Sequence, residues 1–325
     1  MFQPRNRQAV YQALLAVALV LIAWYFISNA LENLRASHIA SGFGFLTREA
    51  GFEIGETAFI AYSASDTYLR ALAVGLCNTF YAAALAIFFS TVIGVALGLA
   101  RLSRNWLLTH LGTAYVEIIR NVPLVVQLFF WYAVITESLP APAQALSPAP
   151  GVFLSNRGLA LPSLISAFPL KVEYPILSGF NFSGGALLSP EFAALLIGLT
   201  LYTAAFIGEI VRAGILAVDR GQFEAAQSLG LSDRQVMRFI ILPQALRVIV
   251  PPATSQYLNC TKNSSLAVAI GYPDLVSIAN TTINQTGQAI EGIAIIMLVY
   301  LTISLAISGA MNWYNARIAL KGVAA

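Results

Sequence analysis

Charged side chains are few in this 325-residue chain, so those that interrupt its long apolar runs are the natural place to look for chemistry. Glu117 and Arg120 stand three apart, on one face if the stretch is helical, and could pair with each other or meet a charged solute. Glu209 and Arg212 repeat that spacing at the end of another apolar run and read as a structural pair. Lys262 is more suggestive, because it lies near the middle of an apolar run and is flanked by Asn259, Asn263, Ser264 and Ser265. A charge at the centre of a transmembrane helix costs about 2.5–3.5 kcal/mol on insertion scales, so such residues are usually paired or functional. Either this face lines a solute pathway and Lys262 meets a carboxylate, or the cluster is structural, between helices or against a second chain. Asn78, Gln127 and Tyr202 are single polar residues in apolar surroundings, where helix–helix hydrogen bonds are the commoner use. Gln127 also joins Glu117 and Arg120 as a candidate pathway residue.

Catalytic chemistry finds little support. Asp66, Asp219, Asp233 and Asp274 all read as loop residues, which leaves no aspartate pair inside an apolar run. His38 and His110 are far apart and lack metal-ligand spacing, and no metal site is expected. Cys77 and Cys260 both fall in apolar segments, which argues against a disulfide framework or a thiolate site. The sequence holds no GxxxxGK[ST] phosphate loop, so ATP would not be bound by this chain in that manner. A net charge of +3 is too small to suggest a nucleic-acid partner.

The elements that must carry these residues are membrane spans. With 58% hydrophobic and 10% charged residues, the chain reads as a polytopic membrane protein, all-α, with about six transmembrane helices. The spans run from about Val10 to Ile27, Val74 to Ala100, Leu111 to Ile135, Phe192 to Val211, Arg247 to Ile270, and Ile290 to Met311. The first could be a signal peptide, but its length and the lack of a clear cleavage site favour an uncleaved span. Ser28–Arg70 is a mixed polar segment, and Tyr272–Gln288 reads as a loop. Prolines 140, 142, 148 and 150 exclude a long regular helix at the start of Thr136–Pro190. Within that segment, Val152–Leu170 could rest on the membrane surface or pack as a loop on the protein. Arg5 and Arg7, Arg101 and Arg104, Arg212 through Arg247, and Arg317 with Lys321 all fall on one side of a six-span arrangement. That places both termini in the cytoplasm and the Pro-rich segment outside. Trp24, Trp131 and Trp313 fall near span ends, as interfacial anchors do. The chain thus divides into a first helix with an outer segment (1–71), a transmembrane domain (72–315) and a cytoplasmic tail (316–325). The domain carries an outer insertion at 136–190 and a cytoplasmic loop at 212–247.

Within that loop, Gln222–Pro243 is polar yet helix-capable. One helix is predicted from about Gln222 to Leu229, stopped by Gly230. A second is announced by Ser232 with Gln235 three residues on, a capping-box pattern. Val236, Phe239 and Ile240 would share a face on it, and Pro243 should break or kink the helix beyond it.

Glu224-Ala225-Ala226, three residues, Gly230, nine residues, Ile240, one residue, Leu242-Pro243 resembles the EAA motif of bacterial ABC importer permeases. It lies where that family has it, before the penultimate span. The stretches Glu117–Gln127, Ala205–Gly214 and Lys262–Leu275 resemble the polar amino-acid uptake branch, and the long outer segments look like permeases of general L-amino-acid systems. The resemblance covers roughly Leu72 to Asn315. It implies a type I ABC importer transmembrane fold, in which the EAA loop is a coupling helix fitting a groove on a cytoplasmic ABC ATPase dimer. Phe223, Glu224, Ala225, Ala226, Gly230, Ile240, Leu242 and Pro243 would form that contact. Glu224 would supply charge, the alanines close packing and Gly230 the turn. It further implies a second homologous permease chain, a periplasmic amino-acid-binding protein, an amino-acid substrate, and a place in the bacterial inner membrane. ATP and Mg would sit on the ATPase, leaving this chain without cofactor or catalytic residue. A secondary transporter or channel would share the composition but has no reason to carry the full EAA pattern. An intramembrane enzyme would need a dyad or metal cluster within the spans.

Overall fold

The computed structural model describes residues 4–36, 42–57, 59–167 and 170–318. His38, Lys321 and the side chains of Arg5, Arg7 and Arg317 lie outside them. Helix α1 (Pro4–Ala36) carries the apolar stretch Val10–Phe26, exposed along its length in the single chain, as a lipid-facing helix would be. The outer segment 42–67 folds back over the next helix, burying Phe45, Ala50 and Ile54 in a cluster with Tyr68, Ala71 and Leu275. Thr67 then starts α2 (Tyr68–Ala100) by accepting the Arg70 N–H.

Hydropathy predicts one straight span over Leu111–Ile135, but the chain makes two helices there. Helix α3 (Trp106–Asn121) and helix α4 (Leu124–Ser138) meet at a bend of 105°. Pro123 is the cause. It lacks an N–H and disfavours helical geometry at the residue before it, and Val122 is extended at φ −94°, ψ 125°.

The insertion at 136–190 is neither a surface helix nor an irregular loop. Its strands are β1 (Leu146–Ala149), β2 (Val152–Ser155), β3 (Gly158–Leu161), β4 (Ser163–Ala167), β5 (Leu170–Glu173), β6 (Ile176–Ser178), β7 (Asn181–Ser183) and β8 (Ala186–Leu188). They form an antiparallel sheet ordered β1-β2-β3-β8 and two separate hairpins, β4–β5 and β6–β7. The prolines that forbid helix leave short Val-, Phe- and Leu-containing runs, which pair as strands. The all-α description therefore holds for the transmembrane body and not for this insertion.

Strand β8 leads straight into α5 (Pro190–Leu216), whose cap Ser189 accepts the Phe192 N–H. Helices α2 and α5 make the most extensive helix pairing among the described residues. Small residues permit it: a Cβ on Gly94 would lie 2.6 Å from Ile207 Cβ, and one on Gly98 would lie 2.7 Å from Val211 Cβ. Leu128 of α4 packs into the same core beside Leu195, Leu199 and Phe192.

After α5 come α6 (Arg220–Ser228), α7 (Asp233–Val236), a π-turn over Met237–Ile241, and α8 (Leu242–Asn263), which tightens into a 3₁₀ stretch, Ser264–Ile270. The helix that carries the fifth span begins well before Arg247, because helical structure runs unbroken from Asp233 to Ile270. Pro243 falls in the first turn of α8, and the π-turn absorbs the disruption that a proline brings. The loop expected over Tyr272–Gln288 holds a helix, α9 (Leu275–Thr286), capped by Asp274 and ended by Gly287 at φ 72°. Helix α10 (Ala289–Ile318) closes the described fold. Among the described residues four helices are long and apolar enough to cross a bilayer, and the bent α3–α4 pair would make a fifth.

Candidate functional site

The insert between α5 and α8 is built by local rules. The Asp219 carboxylate caps α6 by accepting the Gly221 N–H at 2.7 Å. At the other end Gly230 takes φ +81°, its N–H donates to Gln227 O at 2.9 Å, and the Leu231 N–H donates to Ala226 O at 3.2 Å. That pair of bonds is a Schellman closure, which needs a left-handed residue where glycine stands. The Ser232 N–H then donates to Gln235 Oε1 at 2.9 Å, one half of the capping box expected from sequence. A small core of Ala226, Val236 and Ile241, joined by Phe223, Leu231 and Ile240, ties the insert to Ile215 and Val218.

Two details differ from expectation. Ala226 is buried inward, so Glu224 and Ala225 alone of that trio face outward. Phe239 does not share a face with Val236 and Ile240, since it is 60% exposed while Val236 is buried. The π-turn adds a residue to the turn, so the buried position five residues after Val236 falls to Ile241. The surface left open comprises Glu224, Ala225, Gly230, Phe239, Leu242, Pro243 and Leu229, the last 82% exposed. The Arg220–Glu224 ion pair at 3.2 Å lies in water and contributes little.

A cavity of about 440 Å³ opens between α2, α3 and α5, lined by Arg101, Glu117, Arg120, Phe206, Glu209 and Arg212 among others. Glu209 is held by Arg212 at 2.7 Å and by Arg101, which ties α2 to α5 and extends the expected Glu209–Arg212 pair to a third residue. Glu117 and Arg120 do line one cavity, but they form no ion pair. The Arg120 guanidinium instead stacks over the Phe206 ring at 4.8 Å. Gln127 is elsewhere. Its amide donates to Ile119 O and Val122 O, both at 3.0 Å, satisfying carbonyls that the break at Pro123 leaves without partners.

On α8, Pro252, Ser255, Asn259 and Lys262 are exposed at steps of three or four residues, which makes one polar stripe along the helix. The rest of the expected cluster does not share it. Ser264 is buried and donates to Thr261 O at 2.8 Å, Ser265 donates to Lys262 O at 2.7 Å, and Asn263 is half-buried. The hydroxyls close on carbonyls where the α-helix passes into 3₁₀ geometry, rather than on one another.

Asn78, expected to make structural hydrogen bonds, donates to Glu56 O and Pro273 O at 2.9 Å each. Two polar anchors escaped the sequence reading. Arg101 counts there only as a charge ending a span. Asp274 is wholly buried, accepts the Ser277 N–H at 2.8 Å, and leaves Oδ2 without a partner. Only the Asp-x-x-Ser spacing hinted at it.

A helical membrane body with a charged cavity between its helices and a capped two-helix insert at one end describes a transport permease. Residues 90–320 match the Binding-protein-dependent transport system inner membrane component family, and the chain belongs to it. It is 47% identical over 375 residues to the "Putative amino-acid ABC transporter permease protein YhdX" of Escherichia coli, covering 98% of this chain and 95% of that protein. It is 42% identical over 377 residues to the "General L-amino acid transport system permease protein AapQ" of Rhizobium johnstonii, covering 98% and 94%. Among solved structures it resembles an amino acid ABC transporter determined with histidines, at 26% identity and TM-score 0.57, covering 77% of this chain and 95% of that one.

Proposed function

We propose that this chain is one permease half of an ATP-driven amino-acid importer of the bacterial inner membrane, and that Gln222–Pro243 is its coupling element. The observation that carries the reading is continuity: the exposed patch around Glu224, Ala225 and Leu229 is rooted on a helix that runs from Asp233 to Ile270. A cytoplasmic ABC ATPase dimer holds ATP and Mg and moves the docked insert. The motion passes along α8 to the polar stripe at Asn259 and Lys262, a rigid-body switch between inward- and outward-open states. A second, homologous permease faces that stripe across the pathway, and Lys262 meets the substrate's carboxylate as it passes. The cavity holding Glu117 and Arg120 is the inner end of the route, offering one acidic and one basic group to a zwitterion. A binding protein delivers amino acids to the outer face. The arrangement has six spans, with α1 as the first and both termini inside.

Co-purification from the membrane tests the assembly: an ATPase and a related permease should come down with this chain. Gly230→Asp tests the coupling role. A Cβ at Gly230 would meet nothing within 4 Å in this chain, so the cost within the chain is the backbone strain of a side chain at φ +81°, for which Gly230→Asn, tolerant of that region, is the control. The Asp variant should insert normally and fail to transport. Wild-type uptake by it would refute the coupling role.

A further inference from the structure

Three cavities on the outer side converge on one carboxylate. Glu56, in the outer segment 42–67, lines spaces of about 170, 370 and 430 Å³. Its position is fixed: the backbone oxygen accepts Asn78 Nδ2 at 2.9 Å, and Oε1 accepts the Ser189 N–H at 2.9 Å. No basic side chain among the described residues pairs with it, and burial raises its carboxyl above the ordinary range despite the Ser189 bonds.

The smallest of these cavities is also lined by Arg157, on the turn between β2 and β3. Its backbone N–H is held by Ser155 Oγ at 3.2 Å, while its side chain is exposed and forms no ion pair among the described residues. The cavity lining thus includes a fixed carboxylate and an arginine with no ion pair among the described residues, together with Asn181. The two neighbouring chambers differ in character. One is aromatic, with Phe59 edge-on to Tyr81 at 5.5 Å and Tyr81 stacked on Phe192 at 5.3 Å. The other adds Glu53 and Glu191 and no basic group.

We propose that the space between Glu56 and Arg157 is an outer holding site for a free zwitterionic α-amino acid. Glu56 takes the ammonium and Arg157 the carboxylate. Apolar side chains enter the aromatic chamber and cationic ones the acidic chamber. The site deepens the importer reading and rests on it. Glu56 lies before the family-matched region, which begins at residue 90.

The test uses the complete importer in nanodiscs without binding protein, with equilibrium binding of radiolabelled L-leucine and L-arginine. Each amino acid should bind, and Glu56→Gln and Arg157→Gln should each weaken binding about tenfold or more. Gln at 56 can keep the bond to Ser189, and Arg157 is exposed, so neither change should unfold the protein. Competition by analogues separates recognition from structure. The wild type should discriminate against the matching amino alcohol and Nα-acetyl derivative. Arg157→Gln should lose only the first discrimination, and Glu56→Gln only the second. Absence of binding in the wild type, or unchanged binding and competition in both variants, overturns the holding site while amino-acid uptake leaves the importer reading standing. An importer that moves no amino acid sinks both.

Discussion

Gln127 illustrates how one amide can decide whether a broken helix is affordable inside a membrane. Its two bonds to Ile119 O and Val122 O stand in for the ladder that Pro123 interrupts. Gln127→Leu should therefore destabilise the permease by about 1–3 kcal/mol for each carbonyl left unsatisfied, read as a lower melting temperature in detergent. Sequence marked Gln127 as a polar residue needing a partner, but not that the partner would be its own neighbourhood, because the partner exists only once the helix bends. Asp274 offers a second test. Burial pushes its carboxyl up to about 7, against the cap bonds that lower it. The folded chain thus holds a proton that the unfolded chain releases at about pH 4. Stability should be fully present below that value and fall as pH rises to about 7. The permease should melt higher at about pH 5 than at about pH 8, and Asp274→Asn, which preserves a cap, should flatten the difference.

Helix pairing makes its own demands. Gly94 and Gly98 let α5 lie against α2, and Gly94→Ala would drive a Cβ to within 2.6 Å of Ile207. A cost of about 1–3 kcal/mol is expected from such overpacking, with loss of folded protein on size-exclusion in mild detergent. Gly309→Ala, where a Cβ meets nothing within 4 Å, is the control and should be harmless. The apolar helices α2, α5, α8 and α10 were legible because twenty-residue apolar runs admit few alternatives in a bilayer, whereas the break at Pro123 was not. In the insert, the stop at Gly230 and the Ser232–Gln235 cap were legible, since caps are local chemistry, but the Asp219 cap of α6 was not. The phase slip that exposes Phe239 was not, because a π-turn redistributes hydrogen bonds without changing composition. Nor were the strands of the outer insertion, each three to five residues long and separated by prolines and glycines. Runs so short carry too little periodicity to declare themselves. The exposed stripe on α8 was half visible: Asn259 and Lys262 belong to it, while Ser264 turns inward.

At the scale of the molecule, sidedness is the property most open to direct measurement. Phe180, 92% exposed at the β6–β7 turn, and Leu229, 82% exposed at the end of α6, mark the two faces. With Cys77 and Cys260 replaced, a cysteine at 180 should react with an impermeant maleimide in intact spheroplasts. One at 229 should react only after lysis. The opposite pattern would invert the orientation read from the arginines. The two faces are joined by the helical run from Asp233 to Ile270, 38 residues that include the π-turn, Pro251 and Pro252, and the closing 3₁₀ stretch. At 1.5 Å per residue that is roughly 57 Å, nearly twice the ~30 Å hydrocarbon thickness. On the proposed coupling route, a continuous helical element of that length lets a displacement at one end be felt at the other. In the proposed importer, thermodynamic linkage then runs in both directions: whatever nucleotide on the ATPase does to the affinity for solute beside Lys262, solute must do, by the same factor, to the affinity for nucleotide.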